Sequence, residues 1–397
     1  MDAAVAAIPE IEITQRAARR IRAGHVWVYR SDVKKKHRAD AGDVVSVVAR
    51  HRSGGANHLG TAFFNPRSLI TLRLISRERV EPDAAFWRGR IRRAADLRSG
   101  WAGDDTAMRL VFSEADEFPG LILDRYDDVL VMQTLCAGTE RLKDLLVELL
   151  KDMYSPRAIV ERNDSGSRKM EGLDEVSGLL SGKLDGPVEI QEGGLRMLSD
   201  PLFGQKTGYY LDQRENRVRS QHYARGRCLD VFSYQGGFGL HLKVGGAGEV
   251  TLVDQSARAL ETAEAAARLN RIEVRTLAVN AFDFLKSQQT EKERYDVVVL
   301  DPPAFAKNRD AVPRAVRGYK EINLRAMRIL NEGGILITSS CSYHMLPDHF
   351  EEVLQNAARD ARRTVQVLER RSQSRDHPER LGFPESRYLK CFILRVL

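Results

Sequence analysis

Cysteine is scarce in this chain. The 397 residues hold four, Cys136, Cys228, Cys341 and Cys391, and no two of them form a CxxC half-site. A structural zinc site of the usual spacing is therefore excluded, and a disulfide framework is not expected. Scattered thiols in a chain of this length fit a reducing, cytoplasmic setting. Long apolar runs are also missing, since none approaches the ~18 residues of a membrane span, so no membrane contact is expected. The opening MDAAVAAIPEIEI has no basic segment ahead of an apolar core, and no cleaved secretion signal is expected. Neither GxxxxGK[ST] nor GxGxxG occurs, which disfavours a P-loop and a standard dinucleotide site. Hydrophobic residues at 43% and charged residues at 29% exclude disorder over most of the length.

Acidic charge is lacking at one end only. Residues 1–100 carry 20 Lys+Arg against 10 Asp+Glu, and the other 297 carry 42 against 45. The overall charge of +7 thus belongs to the front of the chain. A basic module on a near-neutral body points to a polyanion partner, most simply RNA. RAARRIR at 16–22 and KKKHR at 34–38 concentrate that charge. The plainer alternative is a solvated basic face.

Composition and periodicity divide the chain at about 75 and 190. Residues 1–75 read as short strands (Val44–Val48, Leu69–Leu74) with a loop at Ser53–His58. Residues 76–190 read as a small α+β domain. A helix over Asp83–Ser99 is followed by two or three antiparallel strands within 109–135. One amphipathic helix then covers Thr139–Met153, and a strand Arg157–Glu161. From 191 to 397 strands and helices alternate, which predicts a mainly parallel sheet with helices on both faces. The expected strands are Arg227–Phe232, Glu249–Val253, Arg275–Val279, Asp296–Leu300 and Ile335–Ser339, with helices Ser256–Asn270 and Tyr319–Leu330. Arg363–Leu368 and Leu389–Val396 would close the sheet as an antiparallel pair.

Open parallel sheets bind ligands at the carboxyl ends of their strands. Unusual residues fall there strand after strand. Asp230 and the loop SYQGGFG, which contains Ser233, Tyr234, Gly236 and Gly237, follow the first strand. Asp254 follows the second, where a carboxylate would accept both ribose hydroxyls of a nucleoside; the plainer role is a helix cap. Asp283 lies beyond the third. Asp301-Pro302-Pro303 ends the fourth: two prolines cannot continue a ladder, so they fix a bend that aims the Asp301 carboxylate over the edge. Phe305 could stack on a planar base. Cys341 ends the fifth between Ser340 and Ser342, the partly polar setting that a nucleophilic thiol needs. Cys228 and Cys391 fall inside strand patterns and read as core.

At these residues the chain resembles the class I S-adenosylmethionine-dependent methyltransferases. Over nearly its full length it is similar to bacterial large-subunit ribosomal RNA methyltransferases that form 5-methylcytosine. The resemblance rests on TGYYLDQRENR at 207–217, LDVFSYQGGFG at 229–239, DPPAFAKNR at 301–309, GYKEIN at 318–323 and SCS at 340–342. ERND at 161–164 with EGL at 171–173 is a further family-like piece. GHVWVY at 24–29 resembles the opening of a PUA domain, a small RNA-binding β-barrel, with Val26 where proline is usual. The resemblance implies three parts: a PUA-like barrel (1–75), a central α+β domain (76–190) and a Rossmann-like methyltransferase domain (191–397). It implies S-adenosyl-L-methionine as cofactor, held by the loop after Asp230 and by Asp254, with Asp283 near the adenine. Tyr209, Asp212 and Gln213 would come from a segment across the cofactor pocket. Asp301 would face the target base, and Cys341 would be the covalent nucleophile. Large-subunit ribosomal RNA would be the partner.

Three rivals use the same residues differently. A methyltransferase acting on a guanine nitrogen would keep Asp-Pro-Pro and have no use for Cys341. A nicotinamide-dependent dehydrogenase lacks its GxGxxG. An inactive RNA-binding protein would not need the set Asp230, Asp254, Asp301 and Cys341.

Overall fold

The computed structural model describes residues 8–34, 38–50, 55–101, 103–306 and 308–397. Lys35, Lys36 and His37 of the basic knot, and Ser53 and Gly54 of the expected loop, lie outside the described residues. The chain forms two compact units. The first comprises Met1–Val188, Ser199–Tyr210 and Asp376–Ser386; the second comprises Glu189–Leu198, Leu211–Arg375 and Arg387–Leu397.

The first unit contains two five-stranded sheets. In one, Glu10–Glu12 lies beside Val44–Arg50, then Ala56–Phe64, Ile70–Ser76 and Trp27–Tyr29. A bridge between Ile13 and Val33, with Lys34 N donating to Glu12 O at 2.9 Å, joins the two edges and closes the sheet into a small barrel. The expected loop Ser53–His58 is corrected here, because Ala56–His58 already belong to a strand. That strand is buried over its last six residues and so shows no period-two alternation. Helix Gln15–Arg22 carries RAARRIR and is capped by Thr14. Part of its charge is spent internally: Arg16 and Arg20 each reach Asp32, 1% exposed, at 2.8 Å.

The other sheet runs Ala107–Phe112, Leu121–Tyr126, Val129–Thr134, Ala158–Arg162 and Ser177–Gly182 in spatial order. Only Val129–Thr134 and Ala158–Arg162 are parallel, joined by a helical crossover. The single helix expected over Thr139–Met153 is two, Ala137–Arg141 and Lys143–Tyr154, hinged at Leu142. Helix Ala84–Ser99 begins at Asp83, whose carboxylate caps Phe86 N. The ERND…EGL residues act structurally. Asn163 binds Thr134 N at 2.7 Å, and buried Glu171 takes hydrogen bonds from Asn65, Ser68 and Arg73.

The second unit is the alternating α/β part. Its strands are β1 (Arg227–Val231), β2 (Glu249–Asp254), β3 (Arg275–Ala278), β4 (Tyr295–Leu300), β5 (Leu330–Ser340), β6 (Val365–Arg371) and β7 (Lys390–Val396). They lie in the order β3-β2-β1-β4-β5-β7-β6. The first five are parallel; β6 and β7 pair antiparallel as expected, and β7 also runs antiparallel to β5, between the two. Alternate residues of β4 enter opposite cores: Val298 and Leu300 pack on one face, Val297 and Val299 on the other. Helices α1 (Gly237–Val244), α2 (Ala257–Leu269), α3 (Ala281–Thr290), α4 (Val312–Ile329) and α5 (Pro347–Ala361) accompany them. Helix α4 starts seven residues before the expected Tyr319. Pro313 sits in its first turn, where proline needs no donor partner. Cys228 and Cys391 are core as expected, and burial pushes their thiols up to about 11 and about 12.

Candidate active site

The register of the sheet brings the flagged residues to one edge. Val231 pairs with Leu300, and Leu300 with Thr338, so Asp301 and Cys341 emerge beside the end of β1. Between β1 and α1 the chain turns sharply. Phe232 and Tyr234 take positive φ values of 64° and 49°, strain of the kind that concentrates at functional sites. Gly236 sits at φ 76°, and a Cβ there would lie 3.0 Å from Ala263 and Leu252. Arg217 backs the same loop, 2.5 Å from where a Gly237 Cβ would be, and is itself held by buried Glu192. This is a backbone cradle that side chains would fill.

Three carboxyl groups converge on it. Asp230, 1% exposed, accepts from Gly239 N at 2.8 Å through one oxygen. Its other oxygen finds no partner among the described residues, and neither do Ser233 Oγ and Gln235 Oε1. Burial raises the Asp230 carboxyl to about 7; the nearby Asp301 and Asp254 add to this, and the Gly239 N–H opposes it. Asp254 is the last residue of β2. Its two oxygens accept from Tyr234 N and Ser256 N, each at 2.9 Å, bracing the loop. The alternative role of helix cap falls to Ser256, whose hydroxyl accepts from Ala259 N. Asp301 accepts from Gln213 Nε2 at 2.8 Å, and Gln213 Oε1 accepts from Asn216. Asp212 is buried and accepts from Tyr388 OH at 2.8 Å. Unpartnered buried acceptors, a glycine cradle and crowded carboxylates suit a nucleoside ligand that brings hydroxyl donors and positive charge.

Three expected positions look different in space. Asp283 is exposed in the first turn of α3, and Asn280 caps that helix through Phe282 N and Asp283 N. Phe305 lies among protein rings, 4.6 Å from Tyr319 and 6.0 Å from Phe282 between centroids, a wall in an aromatic cluster. Tyr209 is buried in the first unit.

Cys341 is partly exposed, whereas the other three cysteines are buried. Its Sγ lies 4.0 Å from Pro302 O, on the rigid bend after Asp301. Ser342 ties the two loops together: its hydroxyl accepts from Ala306 N at 3.1 Å and bonds Tyr319 OH at 2.9 Å. The residue that sequence reasoning missed is Lys390. Because β7 is antiparallel, its first residue lands opposite Ser340, at the edge where β5 ends. Lys390 Nζ donates to Ser342 O at 2.7 Å and to Tyr388 O at 2.8 Å. Burial lowers its ammonium to about 8, while the neighbouring Cys341 pulls it upward. A cation beside a thiol favours the thiolate.

The model of a family described as S-adenosylmethionine-dependent methyltransferase matches residues 168–390, and that of a PUA-like domain matches residues 11–77. Among curated proteins, the ribosomal RNA large subunit methyltransferase I of Shewanella frigidimarina is 41% identical over 382 residues, covering 94% of this chain and 95% of that protein. The protein of the same name from Vibrio cholerae is 40% identical over 399 residues, covering 98% of this chain and 100% of its own. Among solved structures, a candidate SAM-dependent methyltransferase from Streptococcus mutans superposes with a TM-score of 0.82 at 22% identity, covering 98% of this chain and 100% of that one. Another, described as a methyltransferase complexed with SAH, gives 0.84 at 22% with the same coverage. At that identity the two structures speak for the fold alone.

Proposed function

We propose cytosine-C5 methylation of large-subunit ribosomal RNA, from the premise that the chain belongs to the ribosomal RNA large subunit methyltransferase I family, S-adenosylmethionine-dependent enzymes with a PUA-like N-terminal domain and a Rossmann-like methyltransferase domain. The observation that carries the finer reading is Cys341, partly exposed at the end of β5 with buried Lys390 beside it. Nitrogen methylation would have no use for this pair.

S-adenosylmethionine, when bound, supplies an electrophilic sulfonium methyl group. In this reading Asp254 and the loop with Asp230, Ser233, Tyr234, Gly236 and Gly237 hold the cofactor. Asp212 and Gln213 border it, and Tyr209 and Asp283 complete the expected set. On the base side, C5 of cytosine is a poor carbon nucleophile. The Cys341 thiolate adds to C6, forming an S–C6 bond and moving electron density to C5. Asp301, oriented by the Gln213 amide, accepts a hydrogen bond from the exocyclic amine. Pro302 and Pro303 hold that carboxylate rigid against the strand end. After C5 has gained its methyl group it loses its proton, and the S–C6 bond breaks to return the thiolate. Lys390 stabilises the sulfur anion at both ends of the cycle.

RNA with 5-fluorocytosine at the target has no C5 proton to lose, so it should remain joined to Cys341 through denaturation, where mass spectrometry locates it. Cys341→Ala should abolish transfer and leave cofactor binding nearly unchanged. Methylated RNA formed by that variant at a rate near the unsubstituted protein would refute the covalent route. A nucleoside digest showing a methylated guanine would replace the reading with nitrogen methylation.

A further inference from the structure

The first unit carries a second feature that the methyl-transfer site does not use. A cavity of about 390 Å³ opens between the end of barrel strand Ile70–Ser76, the helix Ala84–Ser99 and the segment around Arg380. Four guanidinium groups line it, those of Arg77, Arg90, Arg93 and Arg380, with the carboxylates of Glu78 and Glu117. Glu117 serves three of the four at once. It pairs closely with Arg90, and it lies 3.7 Å from Arg93 and 3.9 Å from Arg380. Arg90 is 7% exposed, and its Nε finds no hydrogen-bond partner among the described residues. Its remaining bond is Nη2 to Ile75 O at 3.1 Å, and its guanidinium lies 5.0 Å over the Phe86 ring. Arg93 is 70% exposed at its side chain and faces solvent.

Crowding like charges in a half-buried cleft is unfavourable unless something offsets it. Burial lowers Arg90 to about 10, and Arg93 and Arg380 lower it further. Burial and the charge of Arg77 lower Arg380. Arg77 Nη2 also donates to Ile21 O at 3.0 Å and Arg380 Nη1 to Glu114 O at 2.9 Å, but these carbonyls and Glu117 fall short of the five N–H groups that each guanidinium carries. A tetrahedral anion with several acceptor oxygens would satisfy them. Guanidinium forks match phosphate bidentately, and the walls supplied by Val26, Leu74, Val80 and Phe86 would take the apolar face of a sugar.

We propose that this cleft seats a phosphodiester of the RNA strand, a docking site separate from the methyl-transfer edge. It rests on the RNA-substrate reading above. The cleft draws on Arg77 from the basic front of the chain and on Arg380 from near its end, so it is formed only in the folded unit. Glu117 keeps the arginines apart until phosphate oxygens replace it.

Two variants test the site with opposite signs. The double change Arg77→Ala with Arg93→Ala removes exposed side chains, so folding should survive, as a thermal melt would verify. Binding of a labelled large-subunit ribosomal RNA fragment, and of a polyuridylate oligomer as second probe, is measured against salt. The double variant should bind both probes roughly tenfold more weakly. The slope of log affinity against log salt should fall by about 0.7–0.9 per lost contact. Glu117→Gln removes the competing carboxylate and should tighten binding severalfold, which a merely structural ion pair would not do. In both variants S-adenosylmethionine affinity should not move. Unchanged slopes in the double variant, with RNA still methylated by the unsubstituted protein, would overturn the cleft and leave the function standing. RNA that binds normally but is never methylated would overturn the function and leave the cleft. Weakening by inorganic phosphate alone, without any change in the RNA slope, would mean a small-anion site and refute RNA docking.

Discussion

Replacing Lys390 with methionine should separate stability from chemistry. The side chain is 4% exposed, and its ammonium falls from 10.5 to about 8. Burial drives the fall, Cys341 opposes it and Arg387 adds to it. At 1.36 kcal/mol for each tenfold change, that difference is about 3 kcal/mol of unfavourable charge burial. Methionine removes the cost, and it also strips donors from Ser342 O and Tyr388 O, at roughly 1–3 kcal/mol each. These effects nearly cancel, so the melting temperature near pH 7 should move little. Its pH dependence should change. Between about 8 and 10.5 the unfolded chain holds a proton that the folded one has released, so stability rises with pH across that window. The variant should lose that rise. Activity should respond differently: without the neighbouring cation the Cys341 thiolate loses its electrostatic support and becomes scarcer at neutral pH. The rate of methyl transfer should drop accordingly, and the acidic limb of kcat/KM against pH should move to higher pH. A rate that falls with that limb in place would show that Lys390 only packs the edge.

Asp254→Ala should weaken S-adenosylmethionine binding by roughly tenfold or more, since the proposed ribose acceptors and the brace on Tyr234 N would be lost together; unchanged affinity by calorimetry would reduce Asp254 to a loop brace. Gly239→Ala would place a Cβ 2.1 Å from Leu252 Cδ2 and 3.3 Å from Asp230 Oδ2. Overpacking at ~1–3 kcal/mol outweighs the helix gain of up to ~1 kcal/mol, so the melt should fall by a few degrees and cofactor affinity with it.

The site was legible where each flagged residue directly follows a β-branched run. Asp254 ends β2 after buried Leu252 and Val253, and Asp301 directly follows the buried end of β4, so strand and turn could be read together. The parallel order then places them on one edge without further information. Lys390 could not be read that way. It starts a strand rather than ending one, 48 positions from Ser342, and only the antiparallel insertion of β7 between β5 and β6 carries it to Cys341. The arginine cleft hides for the same reason: Arg380 is remote in sequence from Arg77 and Arg90. Charge counting also overstated the barrel's free cations, because Arg16 and Arg20 are held by one buried aspartate. Ala56–Phe64 escaped notice because burial on both faces erases alternation, and the start of α4 because a proline in a first turn looks like a stop.

The crowding of Asp230, Asp254 and Asp301 carries a consequence for ligand choice. S-adenosylmethionine bears a sulfonium cation, and its demethylated product is a neutral thioether; the rest of the two molecules is identical. Asp230 in the folded chain holds a proton up to about 7, whereas the unfolded carboxyl releases it near 3.8. Between those values the folded state binds the extra proton, so the ligand-free stability contributed by this group falls as pH rises. A cation in the site favours the ionised carboxylate and expels that proton. Affinity for S-adenosylmethionine should therefore rise with pH from about 6 to about 8, by at most roughly tenfold per pH step of one. Affinity for the thioether should rise less, so the preference for substrate cofactor over product should widen across the same window. Calorimetry in two buffers of different ionisation enthalpy reads the proton released on binding, up to about one per site. Asp230→Asn keeps an acceptor for Gly239 N and removes the titration, so its preference should be flat. A preference that widens equally in that variant would place the titrating group elsewhere. A flat preference in the unsubstituted protein, with no proton released, would show that Asp230 is already ionised and that the carboxylates do not discriminate by charge.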